Sequence, residues 1–173
     1  MSLKKIKIGI LGGSFDPAHK GHLIISKEAI KRFKLKKVIW AITKKNPFKK
    51  LSNVSLLVRI KHCKKIIAKN NLIKVKFYED IVKSNKTINL INYLKRNKKI
   101  EIFFLMGADN LISFHRWHKW KAISQKCNII VFDRHGYKKK SLNSITFKRL
   151  NNKKLKFIEF NKVNISSSQL RKI

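Results

Sequence analysis

Apolar and polar positions along the chain follow two rhythms. Ile6 to Leu11, Lys37 to Ile42, Glu101 to Met106 and Asn128 to Phe132 are short, nearly unbroken apolar runs. Such runs suit strands covered on both faces. Ile73 to Phe77 alternates with lysines and reads as a half-covered strand, and Leu155 to Phe160 reads as a last one. Between them the period lengthens to that of a helix. Leu23, Ile25, Ala29, Ile30 and Phe33 mark one helix. Leu56, Leu57, Ile60, Cys63, Ile66 and Ile67 mark another, capped by Ser55 and ending near Asn70 and Asn71. Thr87 to Leu94 forms a third, and a fourth opens after Gly107. Trp117 and Trp120, three apart, are predicted to share one helical face. Thr43 to Asn53 is a loop broken by Pro47, and the basic stretch Lys138 to Lys154 reads as a flexible excursion. Strands alternating with helices, without a repeat or a dividing linker, predict one α/β domain over residues 1–173.

The first strand-to-helix junction carries the densest chemistry: Gly12-Gly13-Ser14-Phe15-Asp16-Pro17-Ala18-His19-Lys20-Gly21-His22. Two glycines let the backbone turn tightly. A helix then begins, with two histidines in its first turn. Unpaired N–H groups at a helix start attract anions, so this end reads as a phosphate site. It is not a P-loop, because Lys20-Gly21-His22 stands where Gly-Lys-Ser/Thr is required. Nor is it a dinucleotide fingerprint, because the second strand ends at Ala41-Ile42-Thr43 without the ribose-binding acid.

Other junctions add candidates. Lys86-Thr87 opens a helix whose N–H groups form a second anion site. Gly107-Ala108-Asp109-Asn110 ends the fourth strand, and Asp133-Arg134 follows the fifth. Ser166 is a good N-cap. It places hydroxyls, backbone N–H groups and Arg171 near one another, a set that suits a phosphate. His115-x-x-His118 lacks a third metal ligand nearby and reads as surface or core-edge histidine. His62 receives no role. The tryptophans serve either core packing or stacking on a flat heteroaromatic ring.

Composition bears on partners and compartment. Lys plus Arg number 43 against 8 Asp plus Glu, for a net charge of +35, which raises nucleic-acid binding as a hypothesis. The lysines are spread over every element, however, and no stacking module accompanies them. Solvated lysine faces are therefore expected, with faster capture of polyanionic ligands. The two cysteines, Cys63 and Cys127, are far apart, so neither a disulfide framework nor a zinc site follows, and a reducing cytoplasm is expected. No apolar run of about 18 residues predicts a membrane span, and no signal-peptide pattern opens the chain.

The GG-S-FDP-x-H-x-GH stretch and Ile165-Ser166-Ser167-Ser168-Gln169-Leu170-Arg171 resemble the two signatures of the HxGH nucleotidylyltransferase superfamily. Gly107-Ala108-Asp109 with Trp117, and Arg134 with Gly136-Tyr137, are similar to its bacterial nicotinate-nucleotide adenylyltransferase branch. The resemblance covers essentially the whole chain. It implies a Rossmann-like parallel sheet ordered 3-2-1-4-5 plus a last strand, with helices on both faces. It also implies AMP transfer from ATP to nicotinate mononucleotide in NAD biosynthesis, with Mg2+ carried by the ATP phosphates.

By motif match, His19, His22 and Arg171 would be the catalytic groups. Gly12, Gly13, Ser14, Phe15, Gly21, Gly107, Asp109, Ser166 and Ser167 would join them in holding ATP. Lys49, Thr87, Ile88, Trp117 and Arg134 would hold the nicotinate nucleotide, with Trp117 stacked on its ring. This chain departs from the family pattern at several points. The usual P-P-H-K loop stands here as Asn46-Pro47-Phe48-Lys49, the S-Y-T-x-D-T segment carries Lys86 and Asn89, and Ser168 replaces a threonine. The last helix is expected to be shorter than in other members. Phosphopantetheine or nicotinamide-mononucleotide adenylyl transfer are the alternatives within the superfamily, and a basic nucleic-acid-binding protein is the alternative from another class. No membrane partner is expected.

Overall fold

The computed structural model describes residues 5–45, 54–150 and 154–159. Six strands form one sheet: β1 (Ile6–Gly13), β2 (Lys37–Ile42), β3 (Ile73–Phe77), β4 (Ile100–Gly107), β5 (Asn128–Phe132) and β6 (Leu155–Ile158). Their order is β3-β2-β1-β4-β5-β6 and every pairing is parallel, as expected from the resemblance.

The period of two sorts the strand residues onto two cores. Ile8, Ile10, Ile39, Ala41, Ile102, Phe104, Met106, Ile129 and Val131 face one side. There they meet α4 (Thr87–Lys95), α5 (Ala108–Ser113) and α6 (Trp120–Lys126) through Ile88, Ile91, Leu111 and Ile123. Leu11, Val38, Trp40, Ile42, Phe103, Leu105, Ile130 and Phe132 face the other side. They are covered by α1 (Lys20–Phe33) and α2 (Leu56–Ile67) through Ala29 and Cys63. Gly9 allows close packing on that side: a Cβ there would lie 2.8 Å from Val38 Cγ2 and 3.0 Å from Leu35 Cδ1.

Four expectations change. Leu57 is 72% exposed and lies off the buried face of α2. Trp117 ends the 3-10 turn Phe114–Arg116, whereas Trp120 begins α6, so the two rings do not share a helix face. A short helix, α3 (Glu79–Val82), precedes α4. The basic excursion contains α7 (Lys138–Leu142) and α8 (Ile145–Leu150). Its lysine run hides these helices from a hydrophobicity pattern. They are held by Phe147 and Leu150, which pack against the core, and Phe147 sets its ring edge-to-face against Phe157 at 6.2 Å.

Candidate active site

The strand order reverses between β1 and β4, and crossovers leave in opposite directions there. In open parallel sheets a crevice opens at that point, outside the carboxyl ends of the strands. A cavity of about 440 Å3 occupies it, walled by the ends of β1, β2, β4 and β5 and by the start of α4.

His19 is the N-cap of α1, with extended backbone. Its Nδ1 accepts from the Gly21 N–H at 3.1 Å, and the Nδ1 of His22 accepts from the His19 N–H at 3.2 Å. The two imidazoles thus form a capping box, a task usually given to Ser or Thr with Glu or Gln. A ring nitrogen that accepts an amide proton carries none itself, so the proton of each neutral ring sits on Nε2. The cap therefore sets both rings as Nε2–H donors, with centroids 3.9 Å apart.

The rings are braced from behind. Trp40 Nε1–H donates to Ser26 Oγ at 2.8 Å, and Ser26 donates to the His22 carbonyl at 2.8 Å. Trp40 and Ser26 are fully buried. Phe15 stacks on Trp40 at 5.1 Å and leans on His22 at 4.8 Å. Its φ of 49° lies in the left-handed region, an unfavoured place for a bulky residue that persists only where surroundings enforce it.

At the far wall, Asp109 Oδ2 accepts from Arg134 Nη1 at 2.6 Å. Asp109 Oδ1 is buried and has no hydrogen-bond partner among the described residues. Gly107 leaves room for this carboxylate: a Cβ there would lie 2.5 Å from Asp109 Oδ1 and would make the Asp109 side chain shift. Trp117 meets Phe104 edge-to-face at 6.0 Å and Phe114 at 5.2 Å, and borders the same cavity. The first turn of α4 has no side-chain cap, and Lys86 and Thr87 stand at the wall.

The family model described as cytidylyltransferase-like matches residues 10–173. A Pelagibacter ubique protein named "Probable nicotinate-nucleotide adenylyltransferase" is 67% identical over 173 residues, spanning 100% of this chain and 96% of its own length. A Bradyrhizobium protein of the same name is 36% identical over 140 residues, 80% of this chain and 73% of its own. The chain belongs to the nicotinate-nucleotide adenylyltransferase family. Its fold is also that of a Plasmodium falciparum nicotinic acid mononucleotide adenylyltransferase solved with NaAD. That structure has a TM-score of 0.79 at 22% identity, covering 96% of this chain and 82% of that one.

In this family member the cavity gathers Gly12, Gly13, Ser14, Phe15, His19, His22, Thr87, Gly107, Asp109, Trp117 and Arg134. Gly21 and Ile88 are not on its wall. The Gly21 N–H is committed to His19, and the Ile88 side chain is buried in the core. Lys49, Ser166, Ser167 and Arg171 lie outside the described residues. No three His, Cys, Asp or Glu side chains converge as a metal site among the described residues. No helix among them is long and apolar enough to cross a membrane.

Several supporting residues escape sequence reasoning. Glu79 accepts from Thr43 Oγ1 and from the Lys44 N–H. His62 Nε2 lies 3.0 Å from the Ala18 carbonyl, within the glycine-rich turn's exit. Only the odd placement of Trp40 and Arg59 amid aliphatic positions could have pointed to them.

Proposed function

We propose that this chain transfers AMP from ATP to nicotinate mononucleotide, releasing pyrophosphate and forming nicotinate adenine dinucleotide for NAD biosynthesis in a reducing cytoplasm. The observation that carries the reading is the imidazole pair at the N-terminus of α1. Its Nδ1 atoms are spent on the cap, so both Nε2–H groups serve as donors beside one cavity at the sheet's switch point.

The acceptor is a phosphate monoester with a second pKa of about 6, so it is ionised at neutral pH and needs no general base. The demand is to bring two polyanions into line and to stabilise charge on the departing pyrophosphate, which is work for position and fixed donors. His19 and His22 donate to the triphosphate, with N–H groups from the end of β1 and the following turn around it. Arg171, Ser166 and Ser167 close on it by their motif. Asp109 Oδ1, partnerless among the described residues, and Gly107 receive the adenosine part. Trp117 offers its face to the pyridine ring. Thr87, Lys49 and Arg134 hold the rest of the nicotinate nucleotide, whose carboxylate meets the positive start of α4 through the backbone N–H groups of Thr87 and Ile88.

A divalent cation belongs with this chemistry, and we take it to be Mg2+. Imidazole and N–H donors without converging carboxylates suit an ion that arrives on phosphate oxygens. Its contribution is to neutralise phosphate charge.

Pyrophosphate release by the purified protein, compared across nicotinate mononucleotide, nicotinamide mononucleotide and phosphopantetheine, is the test. Release with the nicotinate nucleotide well above the others is expected. Equal release with the amide would remove the carboxylate from the recognition, and release with phosphopantetheine alone would refute the assignment.

A further inference from the structure

We propose that Arg59 is a positioning residue of the nucleotide site, orienting the turn after β1 through carbonyl contacts without touching substrate. Arg59 sits on α2, is 4% exposed and is not on the cavity wall. Its Nη1 donates to the Ser14 carbonyl at 2.6 Å and to that of Thr43 at 2.9 Å. Its Nη2 donates to the Lys44 carbonyl at 3.1 Å, and its Nε to that of Val54 at 3.1 Å. None of the ion pairs among the described residues includes it. Burying a charge is costly, and here carbonyl dipoles offset that cost.

A plain core position would be filled more cheaply by an aliphatic side chain, so the planar fork has another use. It ties together the ends of β1 and β2 and the start of α2. Ser14 and Thr43 are themselves on the cavity wall. From the opposite edge, Glu79 accepts from the Lys44 N–H at 3.2 Å, so the Thr43–Lys44 peptide is held on both sides. Fixing the Ser14 carbonyl fixes its peptide plane. In a trans peptide the following N–H, that of Phe15, then points the opposite way. Phe15 in turn holds its left-handed backbone and its contact with His22. The guanidinium thus sets the geometry of the turn that leads into the histidine cap.

This inference rests on the reading that the cavity takes ATP, and the experiment separates the two. A non-hydrolysable ATP analogue is titrated calorimetrically into wild type, Arg59→Lys and Arg59→Ala, and steady-state kinetics are measured for both substrates. Lys keeps the charge but loses the fork. We expect both variants to bind the analogue about tenfold more weakly or worse, with kcat/KM for ATP falling in step. KM for nicotinate mononucleotide should rise less than that for ATP, since the Ser14 carbonyl lies in the turn on the ATP side, whereas Thr43, Lys44 and Val54 only flank the loop that carries Lys49. Added methylguanidine should restore analogue binding to the Ala variant, and methylammonium should not. Wild-type ATP binding in Arg59→Lys overturns the proposal. So does equal weakening towards both substrates, or a Lys variant that does not fold, since the fork would then serve the fold as a whole. Failure of wild type to bind the analogue refutes the ATP reading instead.

Discussion

His19 has two separable tasks, and one substitution parts them. As N-cap its Nδ1 accepts from Gly21 N–H, and as a ring it presents Nε2–H beside the cavity. Asparagine at position 19 keeps the first task, because Asn is among the best N-caps and His19 already has the extended backbone that a cap needs. It lacks the second, because its short amide does not reach where Nε2 stands. Loss of one directed donor to developing charge costs about 2.7–4 kcal/mol, or roughly 100- to 1000-fold in kcat. Loss of a cap costs about 1 kcal/mol, worth roughly 2–4 °C in Tm for a domain of this size. His19→Asn should therefore lose kcat by that factor and melt like wild type. His19→Ala should lose as much activity and melt about 2–4 °C lower. Pyrophosphate release under saturating substrates and differential scanning calorimetry read the two quantities. An Asn variant with wild-type kcat would show that the Nε2 donor is idle. An Asn variant that melts with the Ala variant would show that the cap bond contributes nothing.

Trp117→Ala should raise KM for nicotinate mononucleotide about fivefold, the worth of roughly 1 kcal/mol of ring contact, and leave KM for ATP alone. Steady-state kinetics with each substrate varied in turn would check it. Gly9→Ala should destabilise by about 1–3 kcal/mol through overpacking against Val38 and Leu35, without changing kcat of the folded fraction. Urea unfolding followed by tryptophan fluorescence would measure this. Burial pushes the Cys63 and Cys127 thiols up from 9.0 to about 12. Between those values the unfolded chain has given up these protons and the folded chain has kept them. Their contribution to stability is therefore complete below pH 9 and is lost as pH rises towards about 12. The Cys63→Ala, Cys127→Ala double variant should show a shallower alkaline fall in urea midpoint than wild type. At neutral pH a thiol reagent should label native wild type only after denaturant is added.

The sheet was legible because its strands carry an unambiguous signal. Val38 to Ile42 and Phe103 to Met106 are apolar on both faces, and only a covered parallel sheet accommodates that. The His19–His22 pair was equally legible, since its chemistry lies within one short stretch, but the turn was not: Gly12 and Gly13 end β1, and Phe15, not a glycine, takes the left-handed backbone. What sequence could not show are contacts between distant segments. Arg59 falls among Leu56, Ile60 and Cys63 on the covered side of α2, but nothing in the sequence shows that Ser14 and Thr43 fold beside it. Glu79 lies 36 residues from Thr43, the hydroxyl that it accepts. The helices at 138–150 fail for a related reason. Their anchors in the core are Phe147 and Leu150, two positions too few to show a helical period in a lysine-rich stretch.

Charge alone cannot make this site selective. A chain of net +35 attracts every polyanion, and at physiological ionic strength that field fades over about 8 Å. ATP, pyrophosphate and RNA would all be drawn in. Discrimination has to come from short-range donors whose directions are fixed. The scarce carboxylates bear on this point. Of the eight acids, Glu79, Asp109 and Asp133 stand at the cavity, and each accepts from a named group. Glu79 takes Thr43 and the Lys44 N–H, Asp109 takes the Arg134 guanidinium, and Asp133 takes the Arg134 N–H at 2.7 Å. Their negative charge is thus turned onto the wall's own donors, where it orders the loops and leaves the histidine end to meet phosphate. In a lysine-rich surface a carboxylate has many possible partners. Those at the cavity engage backbone N–H groups, a hydroxyl and a guanidinium that the fold already holds in place, and this makes the wall directional where the surface is merely positive.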